Sequence, residues 1–350
     1  PIKSPINSTL MSPKLKDGLL TVPLNDSEFY LGLIENGLYI PRDPYLAIAR
    51  GLDGTRTCQS LATELALPES MITFFVEELA AYGYVEEVLA MSAPVGVDEE
   101  MRRERIDVER IAPSWREGSR DGGWNEIDSR RDFSILIFGR SRISRSLLAL
   151  LQASGFSQSR IILPPINHDK RVEAKDICGV VTRKIDLGLT LHEHHKIIVQ
   201  GAQLTPSEDS FPEKPSLIIS TTDQADDHHR YLQRWMSEDL AHLQIWQPNP
   251  YTIEIGPLVL PGVTPCINCV ALHKRDQLPP FISLFESTPH REVTSATSTL
   301  VAGVITSYIA EFASTTKSPL RSRSISINVL KPLEGRVERE WDFHPECGCR

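Results

Sequence analysis

Two cysteine pairs far apart in the chain limit the folds open to these 350 residues more than any other feature. Cys266 and Cys269 form a C-x-x-C pair after Pro265, in "GPLVLPGVTPCINC", and Cys347 and Cys349 form a C-x-C pair in "HPECGC". C-x-x-C lets one tight turn donate two thiolates, and zinc favours four soft ligands in a closed tetrahedron. Gly348, lacking a Cβ, lets the second pair fold closely around an ion. One structural zinc held by Cys266, Cys269, Cys347 and Cys349 is therefore expected, with His273 and His344 as substitute ligands. It would pin the last residues onto the segment around Cys266. A redox C-x-x-C would leave Cys347 and Cys349 unexplained, and a disulfide pair would need an oxidising compartment. Cys58 and Cys178 read as ordinary buried thiols. The "LHEHHK" run (His192, His194, His195) lacks H-E-x-x-H spacing, because Lys196 stands where the second His should be, so it reads as a solvated face. His228 and His229 read the same way.

The length favours two domains. The first would span 19–90. Short β-like runs ("LLTVPL", "FYLGLIE", "GLYIP"), with a hairpin signal at Asn36–Gly37, precede three helical patterns ending in "PESMITFFVEELAAYG". Pro68 opens the third helix and Gly83 closes it. A small sheet with three helices predicts a winged helix. The third helix carries Glu69, Glu77 and Glu78 and no Lys or Arg, and the net charge is −9, so no nucleic-acid partner is expected. Ile72, Phe75, Leu79 and Tyr82 form its core face, whereas Met71 and Phe74 lie off that face and are available to line a groove. Residues 91–131 are charged and read as a linker. No stretch approaches about 20 apolar residues and no secretory signal is present, so no membrane span and a cytoplasmic location are expected.

From 132 to 350 strands alternate with helices ("FSILIFG", "SRISRSLLALLQASG", "RIILPP", "PSLIIST"), which predicts a doubly wound, mostly parallel α/β sheet. A nucleotide phosphate would sit at the first strand–turn–helix, Gly139-Arg140-Ser141-Arg142-Ile143-Ser144. Only Gly139 fits G-x-G-x-x-G, with Ser141 and Ser144 replacing the glycines that admit phosphate. Pro164 and Pro165 stand where an acid would end the second strand. ATP binding by this chain is thus not expected.

"LDGTRTCQSLATELALPESMITFFVEELAAYGYVEE" resembles the recognition domain of leader-peptide-binding proteins from azole, azoline and thiopeptide biosynthesis. "PSLIISTTDQ", "IEIGPLVLPGVTPCINC" and "HPECGC" resemble the E1-like, ThiF-related half of the same proteins. The resemblance implies a winged-helix recognition element joined to an E1/ThiF-like domain with a zinc site. It implies binding of a precursor's leader peptide by strand addition at Leu38, Tyr39 and Ile40, with Met71, Phe74, Phe75 and Glu78 as walls. It further implies a non-catalytic subunit that presents the core peptide to a separate YcaO cyclodehydratase, and it is compatible with a homodimer. Asp223 falls at the family's strand-end "TTD" position. Two alternatives stand beside this. One is an E1-like enzyme that adenylates a peptide carboxylate with ATP, and the other a zinc-containing winged-helix regulator.

Overall fold

The computed structural model describes residues 12–87, 97–162, 170–204, 213–221, 225–287, 291–332 and 334–349. The chain divides into two compact units, Pro1–Asp128 and Ser129–Arg350.

The first unit is a small helix-and-strand domain. In chain order it holds β1 (Pro13–Leu15), β2 (Leu20–Pro23), β3 (Glu28–Leu33), β4 (Asn36–Pro41), α1 (Tyr45–Gly51), α2 (Cys58–Leu65), α3 (Glu69–Ala81), β5 (Val85–Glu87) and α4 (Val97–Ser114). β1 pairs antiparallel with β5, and β2-β3-β4 form an antiparallel sheet. The β3–β4 turn falls at Ile34–Glu35, two residues ahead of the expected Asn36–Gly37. Gly37 serves packing instead, since an added Cβ would lie 2.2 Å from the Tyr30 ring. Thr57 starts α2 by accepting the Ser60 amide at 3.1 Å. Phe29 and Leu31 point inward from β3 and meet Ile48, Leu61, Ile72, Phe75 and Leu79 in one core. Tyr82, expected in that core, is 57% exposed.

Within the charged 91–131 stretch lie α4 and α5 (Trp124–Asp132). They bury Ile106 and Ile127, and α4 is further held by ion pairs. Arg110 reaches Asp107 at 2.8 Å, Asp17 at 3.1 Å and Glu86 at 3.5 Å, and the Trp115 indole donates to the Asp17 carbonyl at 3.0 Å. Burial pushes the Glu86 carboxyl up from its ordinary range, opposed by Lys14 and Arg110.

The second unit continues with β6 (Ile135–Phe138), α6 (Arg142–Ala153), β7 (Ser159–Ile162), α7 (Leu191–Ala202), β8 (Leu217–Thr221), α8 (Ala225–Ser237), β9 (His242–Asn249), β10 (Thr252–Val259), α9 (Ile267–Gln277), α10 (Phe281–Glu286), α11 (Ser295–Thr315), β11 (Arg323–Asn328) and β12 (Arg336–Glu340). Its seven strands run in the order β12-β11-β10-β9-β8-β6-β7. β7, β6, β8 and β9 are parallel neighbours, and β10, β11 and β12 extend the sheet by antiparallel pairing. Alternation along β6 shows the two covered faces. Ile135 and Ile137 join the core with α6 and α11, and Leu136 and Phe138 pack with Trp235 of α8 and Leu272 of α9. Among the described residues α11 alone is long and apolar enough to cross a membrane. Its Val301, Ala302, Ile305 and Ile309 lie in the sheet core.

The histidine run corrects the expectation of a solvated face. Thr190 and Glu193 form a capping box (Thr190 N to Glu193 Oε2, 2.8 Å; Glu193 N to Thr190 Oγ1, 3.2 Å) that starts α7. Helical spacing then puts Leu191, His194, His195 and Ile198 on the buried face. Burial drives the His195 pKa down to about 3. The side chains of His228 and His229 lie outside the described residues.

Candidate functional site

Cys266 caps the N-terminus of α9 and Cys269 lies in its first turn. Cys347 and Cys349 return to meet them. Cys266 Sγ lies 3.5 Å from Cys347 Sγ and 3.9 Å from Cys269 Sγ, and Cys269 Sγ lies 3.3 Å from Cys349 Sγ. All four sulfurs fall within 4.8 Å of one another. A tetrahedral zinc with Zn–S of about 2.3 Å needs sulfur separations of about 3.8 Å, so the donor set fits. Burial raises the Cys266 thiol far above its ordinary range and the Cys269 thiol to about 11. Burial also lifts Cys347, but the Asn268 amide donating at 3.2 Å and the neighbouring thiols outweigh it, and its pKa is lowered. A groove of about 720 Å³, lined in part by Met236, Pro261 and Asn268, opens beside the sulfurs and gives an ion a way in. The two substitute ligands are engaged otherwise. His344 bonds Asp276 at 2.9 Å and accepts the Glu346 amide, and His273 contacts the Asp342 carbonyl at 3.0 Å.

The strand order reverses at β6, where α6 leads to β7 on one side and α7 to β8 on the other. In an open α/β sheet such a reversal opens a crevice beyond the strand carboxyl ends. Gly139, with φ of +138°, leaves β6 there. Ser141 caps α6 by accepting the Ser144 amide at 3.3 Å, and the Ser144 hydroxyl bonds Thr221 at the end of β8 at 2.8 Å. Both serines are buried, and their hydroxyls bond each other at 3.1 Å. Arg142 fastens the rim. Its amide donates to Glu292 Oε2 at 3.1 Å, and its guanidinium donates to the carbonyls of Val293 (2.9 Å) and Lys175 (3.0 and 2.6 Å). Sequence reasoning missed Glu292 and Lys175, which no motif marks. Asp223 lies outside the described residues.

In the first unit β4 pairs only with β3, so its far edge faces no strand among the described residues. Leu38 and Ile40 turn partly into the core, and Tyr39 is 70% exposed with its ring edge-on to Tyr30 at 5.6 Å. Phe74 is 59% exposed and Glu78 is exposed, while Met71 packs on the core. Phe75, expected as a wall of the groove, is core, packed on Tyr45 at 5.0 Å between ring centroids.

A small helix-and-strand unit followed by a doubly wound, mostly parallel sheet with a four-cysteine cluster defines the architecture of this chain. No protein-family model and no curated protein matches it. Among solved structures it is similar to the microcin C7 biosynthetic enzyme MccB in complex with N-formylated MccA (TM-score 0.67, 13% identity, 97% of this chain and 99% of that chain). It is similar to E. coli MccB with ATP over the same shares (TM-score 0.66, 13% identity). It also matches the heterocyclase TruD (TM-score 0.60, 16% identity), covering 97% of this chain and 42% of that chain.

These findings correct the resemblance drawn from sequence. MccB, which this chain matches end to end, is an enzyme solved with ATP and with MccA, not a subunit that presents a leader-bound peptide to a YcaO cyclodehydratase. The expected YcaO partner, the azole and thiopeptide associations and the non-catalytic role fall with it. The expectation that ATP does not bind falls too. It rested on Ser141 and Ser144 in place of glycines and on Pro164 and Pro165 in place of an acid, and the structures that this chain matches include MccB with ATP.

Proposed function

We propose that the chain is an ATP-dependent, E1-like adenylating enzyme that activates the carboxylate of a peptide. The observation that carries this is the end-to-end likeness to MccB, which spans both units and leaves almost none of either chain over. The crevice at the β6/β8 reversal, with Gly139 at its lip, is where the nucleotide would lie. In the reaction a peptide carboxylate oxygen attacks the α-phosphorus of ATP. The new bond is C–O–P, the bond broken is that between the α-phosphorus and the bridging oxygen, and pyrophosphate leaves. The open β4 edge and Phe74 would hold the peptide, backbone pairing supplying affinity and the ring supplying selectivity. Cys266, Cys269, Cys347 and Cys349 would hold a structural zinc, since four thiolates close the coordination sphere and leave no position for substrate.

The test is peptide-dependent exchange of labelled pyrophosphate into ATP by the purified full chain, screened against a library of short peptides with free and amidated carboxyl ends. Exchange that requires the free carboxylate supports adenylation. ATP binding without exchange for any peptide would overturn it.

A further inference from the structure

A cysteine that binds zinc does so as a thiolate, and thiolate character together with solvent access decides which sulfur an oxidant reaches. The four sulfurs of the cluster are not equivalent in access. Cys269 is fully buried, Cys266 and Cys347 are 4% and 7% exposed, and Cys349 is half-buried. The groove of about 720 Å³ beside the cluster is lined by Cys266, Cys347 and Cys349 but not by Cys269. Gly348 keeps the approach open, since a Cβ added there would meet nothing within 4 Å.

The contacts sort the sulfurs in the same way. The Asn268 amide donates to Cys347 Sγ at 3.2 Å, which draws electron density from that sulfur and covers one side of it. Cys349 Sγ accepts no N–H among the described residues and lies 3.3 Å from Cys269 Sγ. The Cys266–Cys347 and Cys266–Cys269 separations are longer, at 3.5 and 3.9 Å. The most open sulfur therefore backs onto the most enclosed one. A reactive thiolate that faces solvent, with a second sulfur sealed behind it, is the arrangement that lets an oxidised cysteine be resolved as a disulfide.

We propose that Cys349 is a site of reversible oxidation by hydrogen peroxide, with Cys269 as its resolving cysteine. This rests on the zinc reading of the cluster and not on the adenylation reading. Cys349 Sγ attacks one peroxide oxygen, the O–O bond breaks, hydroxide leaves and a sulfenic acid remains. Cys269 Sγ then attacks Cys349 Sγ. The S–S bond forms, the S–O bond breaks and a second hydroxide leaves. The two thiolates lose two electrons and the peroxide gains them. With two of the four donors gone, zinc is released. The new bond joins the same two segments that the four thiolates joined, so the C-x-C pair stays against α9 and reduction restores the site.

The test treats the zinc-loaded full chain with hydrogen peroxide. A chromogenic chelator reads zinc release, and mass spectrometry after alkylation of the free thiols maps the bonds. Zinc should be lost in step with a Cys269–Cys349 bond, and a thiol reductant with added zinc should reverse both. Cys349→His keeps a fourth ligand and should slow peroxide-driven zinc release about tenfold or more. If that variant binds no zinc, the bond map of the unaltered chain decides. Asn268→Ala uncovers Cys347 and should bring in an early Cys266–Cys347 bond that the unaltered chain lacks. A first bond other than Cys269–Cys349, or zinc retained while Cys58 is oxidised, would overturn the proposal and leave the zinc reading standing. A chain isolated without zinc would overturn both.

Discussion

Lys274 on α9 is a largely enclosed cation of the second unit. Its ammonium lies 2.8 Å from both carboxylate oxygens of Glu254 on β10, with 11% and 9% of the two side chains exposed. Three rings surround it, Trp246 at 4.5 Å, Phe281 at 5.4 Å and Trp341 at 5.6 Å from their centroids. Burial lowers the Lys274 pKa in spite of Glu254, which says that desolvation is the largest influence on this group. Lys274→Met keeps the stem but strands Glu254 as an unpaired charge. Breaking one partner of such a pair costs about 3–5 kcal/mol, or about 6–20 °C in melting temperature for a domain of this size. Lys274→Met combined with Glu254→Leu removes both charges and should recover most of that loss. Urea unfolding followed by tryptophan fluorescence reads both variants. A double variant no more stable than the single one, or a single loss below about 1 kcal/mol, would refute the reasoning, because an unpaired buried carboxylate cannot be that cheap.

Metal analysis of the purified chain should give one zinc per molecule, and Cys266→Ser should lose it; folded, zinc-free protein with four titratable thiols at these positions would refute this. Phe74→Ala should weaken peptide binding about ten- to a hundredfold, the worth of burying one large apolar side chain, and leave the fold intact because Phe74 is 59% exposed; fluorescence anisotropy with a labelled substrate peptide decides it. His195 and His242 have folded pKa values of about 3 and about 4, both lowered chiefly by burial. Their neutral forms fit the fold, so this stability is complete above the unfolded value of about 6.5 and is lost as pH falls through the folded values, at up to about 1.4 kcal/mol per pH unit for each. An acid titration of stability whose slope is unaltered by His195→Asn would speak against it.

Periodic features were legible from sequence. The strand pattern of "FSILIFG", the helix signal before Gly155 and the strand signal after it gave the start of the doubly wound sheet, and the cysteine spacing gave a cluster whose sulfurs do converge. The α4 helix was less legible because Arg110 ties it to Asp17 and Glu86, partners far away in sequence. The burial of His194 and His195 was legible in principle through the Thr190–Glu193 capping box, which sets the face they occupy. The nucleotide turn misled for a different reason. Whether a serine side chain fills a turn or folds under it depends on a partner such as Thr221, placed 77 positions on. No local pattern carries that information, and the same holds for Lys175 and Glu292, brought to the turn by chain that follows it.

Cys266 and Cys347 stand 81 positions apart, so an ion held by all four sulfurs ties off a loop that contains α9, α10, α11, β11 and β12. Closing a loop of that length costs about 4 kcal/mol of chain entropy, a sum that packing must supply before the second cysteine pair arrives. Until then only Cys266 and Cys269 are in place, and two-sulfur coordination exchanges readily. Resistance of the bound ion to a chelator would therefore track completion of the antiparallel half of the sheet. In a refolding experiment the moment when zinc stops exchanging would mark the arrival of β12, and a variant stalled before β12 would surrender its zinc while the parallel strands stayed folded.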